Sequence, residues 1–345
     1  MNGYLPAMNR QLLSHTPRFL AISTLRFWVQ MAFLVFTLWI GYRFYRFYLW
    51  AIGQSEVFVP RSPGVEGFLP ISALLSLKGL ILTGEYDSIH PAGLTIFLAA
   101  LVIGFFLRKG FCGWICPVGA ASNLLERVAR KARILVDVPF WLHGPLLSLK
   151  YLLLFFFLYA ILWAMDLNAV VAFRNTPYNL AADAKMLLFF TDPSRLAAGV
   201  TFFLILLSFF IRNFWCRYLC PYGGLLGLLA LFGPFQVRRD QDLCIDCGKC
   251  DRICPAAIRV SGQETVMSPE CIGCMECVAV CPKKSCLSVG ISRKVTIPPH
   301  ALALAVVAVF LLFYGLATLS GHWQSQVPTE VFQEVYRLAD RMGHS

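Results

Sequence analysis

A bundle of apolar α-helices built to lie in a bilayer, with a small cysteine-rich α+β module inserted near its C-terminal end, is the fold class that the sequence predicts. Three observations predict it. The 345 residues are 58% hydrophobic and 14% charged, with a mean hydropathy of +0.65, whereas charged residues make up about a quarter of an ordinary soluble domain. Five apolar stretches approach the roughly 17 to 25 residues that cross a bilayer. Cysteines crowd the segment from Cys244 to Cys281. The net charge of +11 does not point to nucleic acid, because the basic residues sit in short loops beside apolar segments, where membrane topology places them.

In chain order, Met1 to Thr16 is polar, and the apolar stretch after it is too long for a signal h-region and lacks a small-residue cleavage site, so it is expected to remain as the first span. The spans are expected at 27–48, 91–107, 148–166, 196–211 and 299–320. Five spans put the chain ends on opposite sides. Placing the N-terminus inside, with Arg10, Arg18, Arg26, the loop Arg108 to Lys150 and the segment Arg212 to Lys294, leaves 21 of the 30 basic residues in the cytoplasm against nine outside. The expected location is the bacterial inner membrane, with the N-terminus and the module cytoplasmic and the tail periplasmic. Arg43 and Arg46, at the outer end of the first span, read as snorkelling to lipid phosphates, with a quinone head group as the second reading.

The outer loops contain Pro70 to Thr83 and Tyr178 to Phe190, apolar segments too short to span that read as interfacial or re-entrant helices. An internal repeat also emerges. Arg108, Cys112, Cys116, Pro117 and Gly119 recur as Arg212, Cys216, Cys220, Pro221 and Gly223, each displaced by 104 residues. The repeat units are 27–123 and 148–227, and because both begin on the inside they are parallel, related by an axis along the membrane normal. The membrane domain is expected over 1–238, with Gly223 to Phe235 as an interfacial segment. The module follows over 239–292, framed by short strands. The fifth span and an external tail occupy 293–345, starting with Arg293, Lys294, Pro298 and Pro299. In the tail, Val331, Val335 and Leu338 recur at helical spacing, and a helix lying on the membrane surface is expected.

Cys244, Cys247, Cys250 and Cys254 before Pro255, and Cys271, Cys274, Cys277 and Cys281 before Pro282, both have the C-x2-C-x2-C-x3-C-P spacing of bacterial two-cluster ferredoxins. In that pattern the fourth cysteine of each run ligates the other cluster. Cys244, Cys247, Cys250 and Cys281 would therefore hold one [4Fe-4S] cluster, and Cys271, Cys274, Cys277 and Cys254 the other. Zinc accepts C-x2-C pairs but not this run repeated twice. The basic residues Lys249, Arg252, Lys283 and Lys284 would suit an acidic donor of flavodoxin or ferredoxin type, or simply form a solvated face. Cys286 reads as a buried bystander. The pairs Cys112/Cys116 and Cys216/Cys220 each follow a span, and a spacing of four puts both sulfurs on one helical face. Brought together by the repeat, they suit a third iron–sulfur cluster, redox-active thiols or copper, or inert packing. All thirteen cysteines fall at the cytoplasmic face, where thiols stay reduced.

Two C-x3-C-P motifs at the inner ends of spans, followed by a two-cluster module, resemble the NapH and NosR type of membrane polyferredoxins, over roughly Phe27 to Lys294. That family includes relatives associated with methylamine and cytochrome-oxidase maturation systems. The resemblance implies an electron-transfer protein linking a quinol pool or cytoplasmic donor to a periplasmic respiratory enzyme, cytochrome or other redox subunit. No stretch reads as the periplasmic flavin domain of NosR-like proteins, and no c-type haem motif C-x-x-C-H occurs, which places the chain nearer the NapH form. No catalytic residue is assigned. If quinol is oxidised here, proton carriers would be sought among Glu85, Asp87 and His90, together with Asp166, Asp183 and Asp192. The competing functions are a maturation factor reducing copper or a disulfide through the C-x3-C pairs, and a redox-sensing membrane regulator.

Overall fold

The computed structural model describes residues 22–136, 138–292 and 295–339. The expectations for Met1 to Thr16, Arg10, Arg18, Arg293 and Lys294 fall outside them. Helix α1 (Ile22–Ala51) has 30 residues, about 45 Å at 1.5 Å per residue. Apart from Ile22, Arg26 and Gln30 near its start, its buried residues gather at the far end, while Trp28 and Leu38 stand exposed. Next come a 3₁₀ turn (Pro63–Phe68), α2 (Pro70–Thr83), α3 (Pro91–Phe106), α4 (Gly110–Trp114) and α5 (Pro117–Ala132). Helix α6 (Phe140–Leu158) continues as a π-turn to Ala164, before α7 (Leu167–Arg174), α8 (Pro177–Leu180), α9 (Ala182–Thr191) and α10 (Arg195–Phe210). A π-turn (Trp215–Leu219) then leads into α11 (Pro221–Phe232).

Among the described residues three helices are long and apolar enough to cross a membrane: α1, the stretch Trp141–Ala164, and α14 (Pro299–Leu319). The expected spans at 91–107 and 196–211 are helices of 16 residues each, about 24 Å against a hydrocarbon core of about 30 Å. Helix α3 is largely buried within the bundle. It packs against α2, α11 and α14, and Ala92, Leu94, Ala99, Ala100 and Ile103 are fully buried. Helix α10 joins α9 through a 74° bend, so the pair forms one broken span at most. The helices α3 and α10 begin 104 residues apart, as do α5 and α11, so the repeat extends beyond the cysteine motifs.

The module is framed by a three-stranded antiparallel sheet in which β2 (Leu287–Gly290) pairs with β1 (Gln236–Arg239) and β3 (Thr296–Ile297). The short helices α12 (Lys249–Ile253) and α13 (Glu276–Val280) each end at the fourth cysteine of a run, Cys254 and Cys281. Proline after each of these cysteines has no amide to continue the helix.

The module is pressed onto the bundle. A Cβ on Gly113 would come within 2.3 Å of the Ile272 carbonyl oxygen, and one on Gly227 within 2.4 Å of that of Pro269. Around these contacts the indole of Trp114 donates to the Gly273 carbonyl at 3.0 Å. Arg108, fully buried, donates to the carbonyls of Ala230, Val266 and Ser268. Arg26 spans from the Gly113 carbonyl at 3.0 Å to Glu276 at 2.9 Å. Helix α11, expected at the interface, instead packs against α3, where Gly104 receives Leu226, and against α6, where Gly224 faces Lys150, Tyr151 and Leu154.

At the far end of the bundle the tail helix α15 (Thr329–Ala339) buries Phe332, Val335, Tyr336 and Ala339, a spacing of three and four that defines one face. That face covers Phe44, Phe47 and Tyr48 of α1 and Ala181 and Ala184 beside α9. The tail is therefore docked on the protein rather than lying free on a membrane surface, and Leu338 faces out at 45% exposure. Replacing Gly113 by Ala is expected to cost about 1–3 kcal/mol by forcing the Ile272 loop away, read as a lower thermal midpoint. Gly41→Ala, inside α1 with nothing within 4 Å of the added carbon, serves as the control that does not lower the midpoint.

Candidate metal centre and groove

Each module cavity is lined by one of the crosswise cysteine sets. Cys244, Cys247, Cys250 and Cys281 line the outermost, together with Cys286. Cys254, Cys271, Cys274 and Cys277 line the second, with Val237, Ile258, Val260, Val266 and Met275 as an apolar shell. The Ile258 amide points at the Cys254 sulfur at 3.4 Å; amides so placed favour the thiolate and tune a bound cluster.

The four cysteines of the repeat, Cys112, Cys116, Cys216 and Cys220, gather at one end of a much larger space, a groove of about 960 Å³. They are near enough to influence one another's charge. The turns that carry them are forced tight: a Cβ on Gly119 would meet the Cys112 carbonyl at 2.4 Å, and the Gly223 amide points at the Cys220 sulfur at 3.3 Å. Burial pushes the thiols up, strongly at Cys112 and Cys216 and to about 11 at Cys116 and Cys254. Without a cation they are neutral, and metal binding would displace their protons. Among the described residues no three His, Cys, Asp or Glu side chains converge tightly enough for a single metal ion. The donor set is all-cysteine, which suits iron–sulfur clusters, whose several atoms do not demand convergence on one point.

From the cysteines the groove runs between Phe33, Phe36 and Ile40 of α1 and Phe310, Leu311 and Tyr314 of α14, reaching Arg43 and Arg61 at the far end. Pro255, Ala256 and Ile272 wall both the groove and the second module cavity. Of the quinone candidates only Arg43 lines this space. Its guanidinium lies over the Trp39 ring, and Arg46 hydrogen-bonds the Tyr42 hydroxyl. Glu85 is exposed. Asp87 and His90 belong to a buried network that fastens the far end. Arg174 pairs with Asp87 at 3.2 Å, Arg61 pairs with Glu66 and Asp183, and Tyr336 donates to Asp183 at 2.8 Å. His90 Nε2 lies 2.8 Å from the Asn179 carbonyl, so it carries the proton. Asp166 caps α7 and Asp192 ends α9.

Sequence reasoning missed a buried charge centre at the cysteine end. Glu270 sits between Lys109, at 3.6 Å, and Lys150, and accepts from the Tyr151 hydroxyl at 3.2 Å. Both Lys109 and Glu270 line the groove. A lone lysine in an apolar stretch was the one available signal, at Lys150; nothing marked Glu270 except its position before Cys271.

The family described as 4Fe-4S binding domain matches twice, over residues 89–134 and 196–239, and the 4Fe-4S dicluster domain matches 236–282. The chain is 38% identical over 320 residues to the Escherichia coli K12 protein named putative electron transport protein YccM, covering 90% of this chain and 88% of that one. It is 31% identical over 187 residues to the regulatory protein NosR of Stutzerimonas stutzeri, covering 53% of this chain but 25% of NosR. With the ferredoxin-type protein NapH of Haemophilus influenzae it shares 27% over 208 residues, 56% of this chain and 68% of NapH. No solved structure matches the chain.

Glu270→Gln is expected to cost about 3–5 kcal/mol, because it leaves two buried ammonium groups without a carboxylate. Burial alone would raise the Glu270 pKa, but Lys109 and Lys150 outweigh it and hold the carboxyl below its ordinary value. The folded value is thus below the unfolded one, about 4.3. The stabilisation is complete above that pH and is lost as pH falls through the folded value. The gap in thermal midpoint between wild type and E270Q is expected to be widest near neutral pH and to close below about pH 4.

Proposed function

The chain belongs to the NapH/NosR-type membrane polyferredoxins, iron–sulfur proteins of electron transport, and from this premise we propose that it passes single electrons between its module and a quinol held in the groove. One observation carries the reading. The cysteines of the two repeats meet where a largely apolar groove between α1 and α14 ends against the wall of the second module cavity. A carrier arriving there from the bilayer must be apolar and redox-active, which a quinol is, and 960 Å³ is ample for a head group and part of an isoprenoid chain.

Cys244, Cys247, Cys250 and Cys281 would hold the outermost [4Fe-4S] cluster, and Cys254, Cys271, Cys274 and Cys277 the next. Cys112, Cys116, Cys216 and Cys220 would hold a third. The clusters supply one-electron transfer when bound; the chain sets ligation, burial and hydrogen bonding. Oxidation of one quinol to quinone releases two electrons and two protons, so the electrons must leave singly along this line. The head group is placed at the cysteine end, beside Lys109 and Glu270, with the tail running between α1 and α14 towards Arg43. The count of basic residues supports a cytoplasmic module and a periplasmic tail, and the exposed Lys249, Arg252, Lys283 and Lys284 beside the outermost cavity support an acidic soluble partner. The relatives named regulatory protein NosR and ferredoxin-type protein NapH support a redox partner.

Anaerobically purified protein is expected to contain about twelve irons per chain, falling to about eight in Cys112→Ser or Cys216→Ser with the module signals retained in EPR. In vesicles a short-chain quinone or quinol is expected to exchange electrons with the clusters, and Ile40→Trp, which fills the groove, to slow that exchange while leaving the iron count unchanged. A wild-type count of about eight would remove the third cluster. No exchange with any quinone or quinol would remove the lipid-soluble carrier and leave maturation or sensing.

A further inference from the structure

The outermost module cavity holds one thiol more than a cluster needs. Five cysteines line it: Cys244, Cys247, Cys250, Cys281 and Cys286. Cys286 is 3% exposed and shares the cavity with Cys281 and Cys244, near enough for their charges to bear on it. It is held rigidly. Its carbonyl accepts from the Asp240 amide at 2.8 Å at the end of β1, its amide closes a turn onto Lys283, and its thiol has only a weak 3.6 Å contact to the Asp240 carbonyl. Ser285 before it takes a left-handed φ of +66°, which turns the chain from the surface lysines into β2.

Its two neighbours are not alike. Cys281 ends α13 and is fixed by that helix. Cys244 sits on an irregular loop between the exposed Leu243 and Ile245, with its sulfur 3.5 Å from the exposed Asp246 carboxylate and close to Arg239. Cys250 lies within α12 and the Cys247 carbonyl accepts from Arg252 at 2.8 Å, so of the four expected ligands Cys244 is the one held least.

We propose that Cys286 is a reserve ligand of the outermost cluster, replacing Cys244 when that sulfur is lost or modified. This rests on the two-cluster assignment of the module but not on the quinol reading. The exchange is a substitution without redox change. The Cys286 thiol gives up its proton as its sulfur binds iron, and that proton passes to the departing Cys244 group, whether thiolate or the oxidised sulfur left by a prior oxidant. The benefit falls on the cluster nearest the surface, whose ligand Cys244 is open to oxidants that convert thiolates to sulfenic and sulfinic acids.

The test is iron content and EPR of four variants purified anaerobically, with the signal of the second cluster as the control for a folded module. Cys244→Ala is expected to keep about eight module irons, with a shifted signal for the outermost cluster, and Cys286→Ala to keep them with an unshifted one. Cys244→Ala/Cys286→Ala is expected to lose about four, and so is Cys247→Ala despite an intact Cys286. Loss in Cys244→Ala equal to that in Cys247→Ala, or loss in Cys286→Ala alone, would overturn the proposal. If every variant including wild type lacked the outermost signal, the two-cluster assignment itself would be at fault.

Discussion

The close docking of the first C-x3-C turn on the Pro269 to Met275 loop is the constraint from which the rest of the molecule follows. At Gly113 and Gly227 the backbones touch so closely that no side chain fits, and the polar groups sealed there are satisfied by Trp114, Arg108 and Arg26. Unpaired polar groups in such a place would each cost about 1–3 kcal/mol. Because the loop that is gripped leads straight into Cys271 and Cys274, the grip fixes the distance between the module cysteines and those of the repeat. Electron transfer between them would depend on that distance, so rigidity here serves function.

The repeat explains how four cysteines come together, and its divergence explains why the site faces one way. Lys109 and Asn213 occupy equivalent positions. Lys109 pairs with Glu270 over the groove, whereas Asn213 accepts from Ser122 and donates to Glu126 and to the Pro255 carbonyl. Both therefore reach the module, one by charge and one by neutral hydrogen bonds. The helices that precede them differ more. Helix α3 is the buried centre of the bundle, while in α10 only Ser208 is buried and Leu196, Phe202 and Phe203 face out.

Much of this was legible in the residues, for identifiable reasons. Cysteine spacing is local, so the two runs of the module can be read directly from the sequence, and the outer helix Pro70–Thr83 has the bounds that its proline and glycine imply. What could not be read was burial against protein rather than lipid. Both environments favour apolar residues, so α3 and α11 look like a span and an interfacial segment although they pack inside the bundle. The tail helix was legible as amphipathic, but its face was misjudged by about one residue, because Tyr336, with its polar hydroxyl, anchors the buried side through Asp183. Long-range ion pairs such as Lys150 with Glu270 leave almost no trace in a linear pattern.

The far end clarifies the direction in which the molecule works. Its ionised groups are matched to one another: Arg61 with Glu66 and Asp183, Arg174 with Asp87. Such a network anchors α15, α2, α7 and α9, and has little charge left over for a redox head group. The cysteines, by contrast, all lie between Cys112 and Cys286, at the module end. On the proposed reading the chain's own clusters conduct only as far as the mouth of the groove. An electron bound for the opposite side must complete the journey on a quinol moving in the membrane or on another subunit, and the groove is the place where that transfer begins.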